Sequence, residues 1–106
     1  MIVNHRTYTL VPRKTAPYLK LVEEEAMPVM MRRGFELMGY YVAMHGPLNE
    51  VIHLWKYDSM ADMEQKRAAR DADPDWATFL GKTEGMVQSQ VSRIIAPVAF
   101  SPVGVG

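Results

Sequence analysis

The stretch Asn-Glu-Val-Ile-His-Leu-Trp-Lys-Tyr-Asp-Ser-Met-Ala-Asp, residues 49–62, constrains the fold more than any other part of the chain. It reads as a strand running directly into a capped helix. Alternation puts Val51, His53, Trp55 and Tyr57 on one face and Ile52, Leu54 and Lys56 on the other. Apolar bulk therefore falls on both faces. A sheet covered by helices on one side alone normally presents polar side chains on the other. This strand calls for a second cover. One of its faces also gathers an imidazole, an indole and a phenol, which suits a pocket or a subunit interface.

The flanking segments supply the remaining elements. Residues 2–11 are rich in β-branched and aromatic types and stop at Pro12, as a first strand would. Thr15 is expected to cap a helix that carries Pro17 in its first turn and runs to about residue 33. Leu19, Val22, Ala26 and Val29 or Met30 recur at helical spacing as its buried stripe. Pro28 should kink this helix or shorten it by a turn, and Gly34 should end it. Residues 35–45 form the second strand, His45-Gly46-Pro47-Leu48-Asn49 a turn, and residues 50–57 the third strand. Ser59 followed by Asp62 is a capping-box variant that opens a helix to about residue 72. Asp73-Pro74 starts another helical segment, anchored by Trp76, Phe79 and Leu80 and stopped by Gly81. The last strand covers 87–96.

This β-α-β-β-α-β order, with its second helix broken, is an α+β pattern of the ferredoxin-like kind. It implies a four-stranded antiparallel sheet with the first and third strands in the centre and helices on one side. Residues 1–102 make a single domain and residues 103–106 are expected to be a flexible tail. No segment is left to cover the open sheet face, so a second copy of the chain is the simplest cover. On that reasoning the His53-Trp55-Tyr57 row is expected at the subunit interface, lining a pocket between two paired sheets.

Charge and composition remove several function classes. Twelve basic and twelve acidic residues cancel, and no basic run appears, so a nucleic-acid partner is not expected. The absence of cysteine excludes disulfides and thiolate catalysis. The N-terminus lacks the basic head and long apolar core of a signal peptide. The longest apolar stretch, residues 94–100, is far too short for a bilayer and contains Pro97. A cytoplasmic location without membrane insertion is the expectation.

Several motifs recur in an informative order. They are Arg6-Thr7-Tyr8 before a proline-containing turn, His45-Gly46-Pro47-Leu48-Asn49, Val51 with His53-Leu54-Trp55, Tyr57-Asp58-Ser59, Ala72-Asp73-Pro74-Asp75-Trp76, and Ser101-Pro102. Together, over roughly residues 2 to 102, they resemble the NIPSNAP family. The resemblance implies a dimeric α+β barrel in which two sheets pack face to face. It also implies a fold shared with cofactor-independent monooxygenases, isomerases and chlorite-dismutase-like haem proteins, and a branch largely without an assigned activity. Fold relatives do not lend a reaction.

The residues themselves offer a candidate chemistry. His53 is a candidate acid or base, with Tyr57 as a hydrogen-bond donor and Trp55 as a stacking wall. Arg6 and Tyr8 share a face of the first strand with Asn4. Arg6 suits a carboxylate or enolate, or alternatively an ion pair with Glu36, Asp58 or Glu84, because an unpaired buried charge is costly. His5, His45 and His53 have no metal-ligand spacing, so neither a metal nor another cofactor is expected. Gly81-Lys82-Thr83 lacks the earlier glycine and the preceding strand of a phosphate-binding loop. Glu23, Glu24 and Glu25 fan out around the helix and form a solvated face. The leading expectation is a small-molecule-binding homodimer, of the cofactor-independent monooxygenase or isomerase type, for an apolar, oxygenated or enolisable ligand. His53 and Arg6 are its catalytic candidates, and Tyr8, Trp55 and Tyr57 its ligand-binding ones. The alternative is a non-catalytic protein-interaction module with side chains plugging its sheet faces.

Overall fold

The computed structural model describes residues 1–102; the tail expected over 103–106 lies outside the described residues. Strands β1 (Ile2–Leu10), β2 (Glu36–Val42), β3 (Glu50–Tyr57) and β4 (Val87–Ile95) form one antiparallel sheet in the order β2-β3-β1-β4. The two central strands are those the sequence pattern placed there. Register pairs Arg6 with His53, Asn4 with Trp55 and Tyr8 with Val51. Paired residues project to the same side, so these six side chains share one face.

That face is covered by the helices. The first helical region is continuous: α1 (Thr15–Leu21), a π-helical turn (Val22–Ala26) and α2 (Met27–Arg32). Pro28 explains the middle turn. It has no N–H to offer the carbonyl four residues back, and its ring would collide with that carbonyl. The ladder widens instead, and the N–H of Met27 donates to the carbonyl of Val22, five residues back. The helix is therefore not shortened by a turn; the proline is absorbed in the wider ladder. Thr15 is also not the cap. It is the first helical residue, Lys14 precedes it without a side-chain capping bond, and the Thr15 hydroxyl is buried without a protein partner. Gly34 ends the region with φ +83°, a conformation open to glycine.

Helix α3 (Met60–Asp71) begins at Ser59, whose side chain accepts from the Asp62 N–H, while Asp62 accepts in turn from the Asp58 N–H. Helix α4 (Pro74–Lys82) begins at Asp73, which accepts from the Asp75 N–H. Gly81 does not stop this helix, which runs through it to Lys82. Asp73 is 3% accessible and also binds Arg32 at 2.7 Å and Arg33 at 2.9 Å, tying the end of the first helical region to the start of α4. The Arg32 hydrogen bond, with help from the Asp75 backbone and Arg33, holds the Asp73 carboxyl down at about 2.

Two apolar clusters fill the space between sheet and helices. One gathers Leu10, Tyr18, Val22, Ala26, Val51 and Phe79; the other gathers Met30, Phe35, Trp55, Tyr57 and Met63. The other sheet face has no covering element of its own among the described residues. Ile52 and Leu54 lie there with half-exposed Tyr41, Val91 and Ile95. Gly39 sits at a bulge in β2, between Leu37 and itself, and the Tyr41 ring lies across it where any Cβ would collide.

Candidate functional site

The row Val51, His53, Trp55 and Tyr57 is at most 5% accessible along its whole length. Trp55 and Tyr57 pack with Phe35, Met30 and Met63. This corrects the expected placement at a subunit interface: the row faces the helices of its own chain. The reason is size. The helix side must fill the wide gap under the helices, and the largest side chains of β3 go there.

Packing is not complete. A cavity of about 380 Å³ remains between the sheet and the helices, within the range of small-molecule sites. His53, Arg6, Tyr8, Trp55 and Tyr57 all line it. The π-helical turn supplies Val22 and Ala26 to the opposite wall, followed by Met27 and Met30. Such turns occur often at functional sites because the extra residue re-aims the helix face. Both tryptophans of the chain, Trp55 and Trp76, line the same cavity. His5 lies on the open sheet face and His45 is exposed in the turn, so the three histidines do not meet.

His53 has a defined hydrogen-bonding state. The Trp55 indole Nε1–H donates to His53 Nδ1 at 2.6 Å. Indole is only a donor, so Nδ1 must present its lone pair. The imidazole is then neutral, with its proton on Nε2. Burial, with Arg6 and His5 adding repulsion, pulls the His53 pKa down to about 3 and keeps the ring neutral near pH 7. Tyr40 stacks on the ring at 4.6 Å and Tyr8 meets it edge-on at 4.7 Å. Nε2 is buried and has no protein acceptor. The group thus held is a hydrogen-bond donor, suited to polarising a carbonyl or stabilising an oxyanion.

Arg6 extends the donor set. Its Nε donates to the Tyr8 hydroxyl at 2.8 Å and its Nη1 to Asn4 Oδ1 at 3.3 Å. Asn4 is held in place by donating to Ser92 Oγ at 2.8 Å and to the Arg93 carbonyl at 3.0 Å. None of Glu36, Asp58 and Glu84 pairs with Arg6, and no ion pair to it forms among the described residues. Neutral neighbours hold the guanidinium instead. The Tyr8 oxygen accepts a hydrogen bond from Arg6, which leaves the tyrosine's own O–H free to donate.

Sequence reasoning missed Tyr40, Tyr18, Asn4 and Arg70 as site residues. The bulge at Gly39 brings Tyr40 opposite His53, and simple alternation cannot count through a bulge. Gly39 itself was the available signal. Tyr18 and Tyr40 both line the cavity, and burial raises the pKa of both. Arg70 lies over Trp76, its guanidinium carbon 4.5 Å from the ring centroid, and binds Asp71 at 3.0 Å.

The comparisons with known proteins agree with the fold and with the motif order. The NIPSNAP family model matches residues 3–102. Human NipSnap homolog 3A is 34% identical over 91 residues, 84% of this chain and 36% of that protein. The chain spans about a third of the length of the curated relatives it matches. A NIPSNAP family protein with unknown function from Agrobacterium tumefaciens superposes with a TM-score of 0.93 at 36% identity, covering 98% of this chain and 94% of that one. A candidate antibiotic biosynthesis monooxygenase from Nitrosomonas europaea shares the fold, with a TM-score of 0.68 at 12% identity over 92% of this chain and 99% of its own. With a family model spanning nearly every described residue and a solved relative matching end to end, the chain belongs to the NIPSNAP family.

Proposed function

We propose that this chain forms a homodimeric α+β barrel that binds one small molecule per protomer in the cavity between its sheet and its helices. The observation that carries the reading is the cavity of about 380 Å³ lined by all five candidate residues. Any chemistry there is cofactor-independent: His53 Nε2–H and the Tyr8 hydroxyl donate to a ligand oxygen, Arg6 holds negative charge, and Trp55 and Tyr57 shape the walls. Turnover of the monooxygenase or isomerase type would use that oxygen as an enolate. The uncovered face bearing Ile52, Leu54, Tyr41, Val91 and Ile95 supports the dimer. Among the described residues no helix is long and apolar enough to cross a membrane; a cytoplasmic location is part of the same proposal.

Ala26→Leu tests the ligand reading. Ala26 is buried on the cavity wall, and the larger side chain fills the space. Quenching of Trp55 and Trp76 fluorescence by naphthalene-sized compounds should be present in the parent protein and lost in the variant, with the melting transition retained. Equal responses in both proteins, or none in either, would refute a ligand cavity and leave the interaction-module reading.

A further inference from the structure

We infer that the cavity is a receptor for amphipathic acids, ligands with a flat apolar body and an anionic oxygen seated where β1 and β3 pair at Arg6 and His53. This inference rests on the ligand cavity proposed above. Its first support is an unmet donor. His53 is 95% buried, lines the cavity, and has Nδ1 occupied by Trp55, so its proton sits on Nε2 with no protein acceptor. A buried unpaired donor is unfavourable, and a ligand oxygen is the group that relieves it.

The second support is charge. Four ionised side chains line the cavity: Arg6, Arg67, Arg70 and Asp71. Arg70 and Asp71 pair with one another at 3.0 Å. Arg6 and Arg67 have no ion pair among the described residues. A cavity with an excess of guanidinium and a low-polarity wall favours an anion over its neutral isostere.

The third support is convergence. Arg6 and His53 are direct register partners on the central strands. Tyr8 follows Arg6 by two positions on the same face and accepts from its Nε, which leaves the tyrosine O–H available as a donor. The Tyr8 ring lies 4.7 Å from the His53 ring and 5.3 Å from the Arg6 guanidinium carbon, so the three groups line one part of the cavity, and Asn4 accepts from the arginine. The remaining wall is Val22, Ala26, Met27, Met30 and Trp76, which suits a planar hydrocarbon body.

The test compares 2-naphthoate with its uncharged isostere 2-naphthamide by calorimetric titration of the full chain. The inference predicts that the acid binds at least tenfold more tightly and that Arg6→Gln removes most of that preference. Arg6→Lys, which keeps the charge but not the planar fork, should lose part of it. Equal affinities would overturn the inference and leave the cavity reading standing. Binding of neither compound at millimolar concentration would overturn both. A tenfold preference that survives in Arg6→Gln would overturn the assignment of the anion to Arg6. The acid-to-amide ratio in the parent protein decides the main point even if a variant fails to fold.

Discussion

The two faces of β3 teach different lessons from one alternating sequence. On the helix side, Val51, His53, Trp55 and Tyr57 are 0 to 5% accessible, and the Trp55 indole is bonded to His53 Nδ1. On the other side, Ile52, Leu54 and Lys56 are half-buried under nothing but neighbouring side chains. The helix side places its apolar bulk in two clusters and still leaves a partly open cavity lined by residues of both. The open side mixes apolar side chains with Lys56, His5 and Arg93 and has no helix over it among the described residues. One strand thus serves a receptor on one side and, in our proposal, an interface on the other.

That division can be broken from either side. The largest effect should come from the open face. Leu54→Asp would place two carboxylates in a two-fold apolar interface. Light scattering should show dimer association weakened by roughly a hundredfold or more, equivalent to about 2.7 kcal/mol, while the cavity still binds ligand. An unchanged dimer would remove the open face from the interface.

Next in size is Trp55→Ala on the helix side. Loss of a buried tryptophan should cost about 3–5 kcal/mol in denaturant unfolding and free His53 Nδ1. A loss comparable to that of an exposed residue would mean the row is not core.

The pH dependence isolates His53. Its folded pKa of about 3 lies below the ordinary 6.5. Between these values the unfolded chain takes up a proton that the folded chain refuses. Stability should therefore fall as pH drops from 6.5 toward 3, by at most about 1.4 kcal/mol per unit. Asp73, held at about 2, contributes in the same direction only below the ordinary carboxylate value of 3.8. His53→Gln should flatten the slope between pH 4.5 and 6.5, measured by urea unfolding. An unaltered slope would mean the imidazole is not the group responsible.

The smallest effect lies off both faces. Ser59→Ala removes the α3 cap and should cost about 1 kcal/mol, with dimer and ligand binding intact. A loss of ligand binding would show that the cap also sets the position of Arg67 and Arg70, which α3 brings to the cavity.

Much of this was legible in the chain. Element order and the central place of β1 and β3 followed from periodicity, from Ser59 and Asp73 as caps, and from Gly34 as a stop. All five candidate residues were on the page because alternation places Arg6 and Tyr8, and His53, Trp55 and Tyr57, on single faces. The side they faced was not legible. Alternation is symmetric, and a strand apolar on both sides does not say which side meets the helices. The bulge at Gly39 hid Tyr40, and the π-helical turn hid how Pro28 is absorbed. Asn4 as the anchor of Arg6 depended on Ser92, a residue 88 positions away.

Methyl-resolved NMR of the full chain, titrated with 2-naphthoate, tests the central claim most directly. Met27 and Met30 line the cavity, whereas Ile52 and Leu54 lie on the opposite side of the sheet and Met44 is 82% exposed. The account predicts that Met27 and Met30 shift on titration while Ile52, Leu54 and Met44 stay in place. Shifts confined to Ile52, Leu54 or Met44, or no shifts at all, would contradict it.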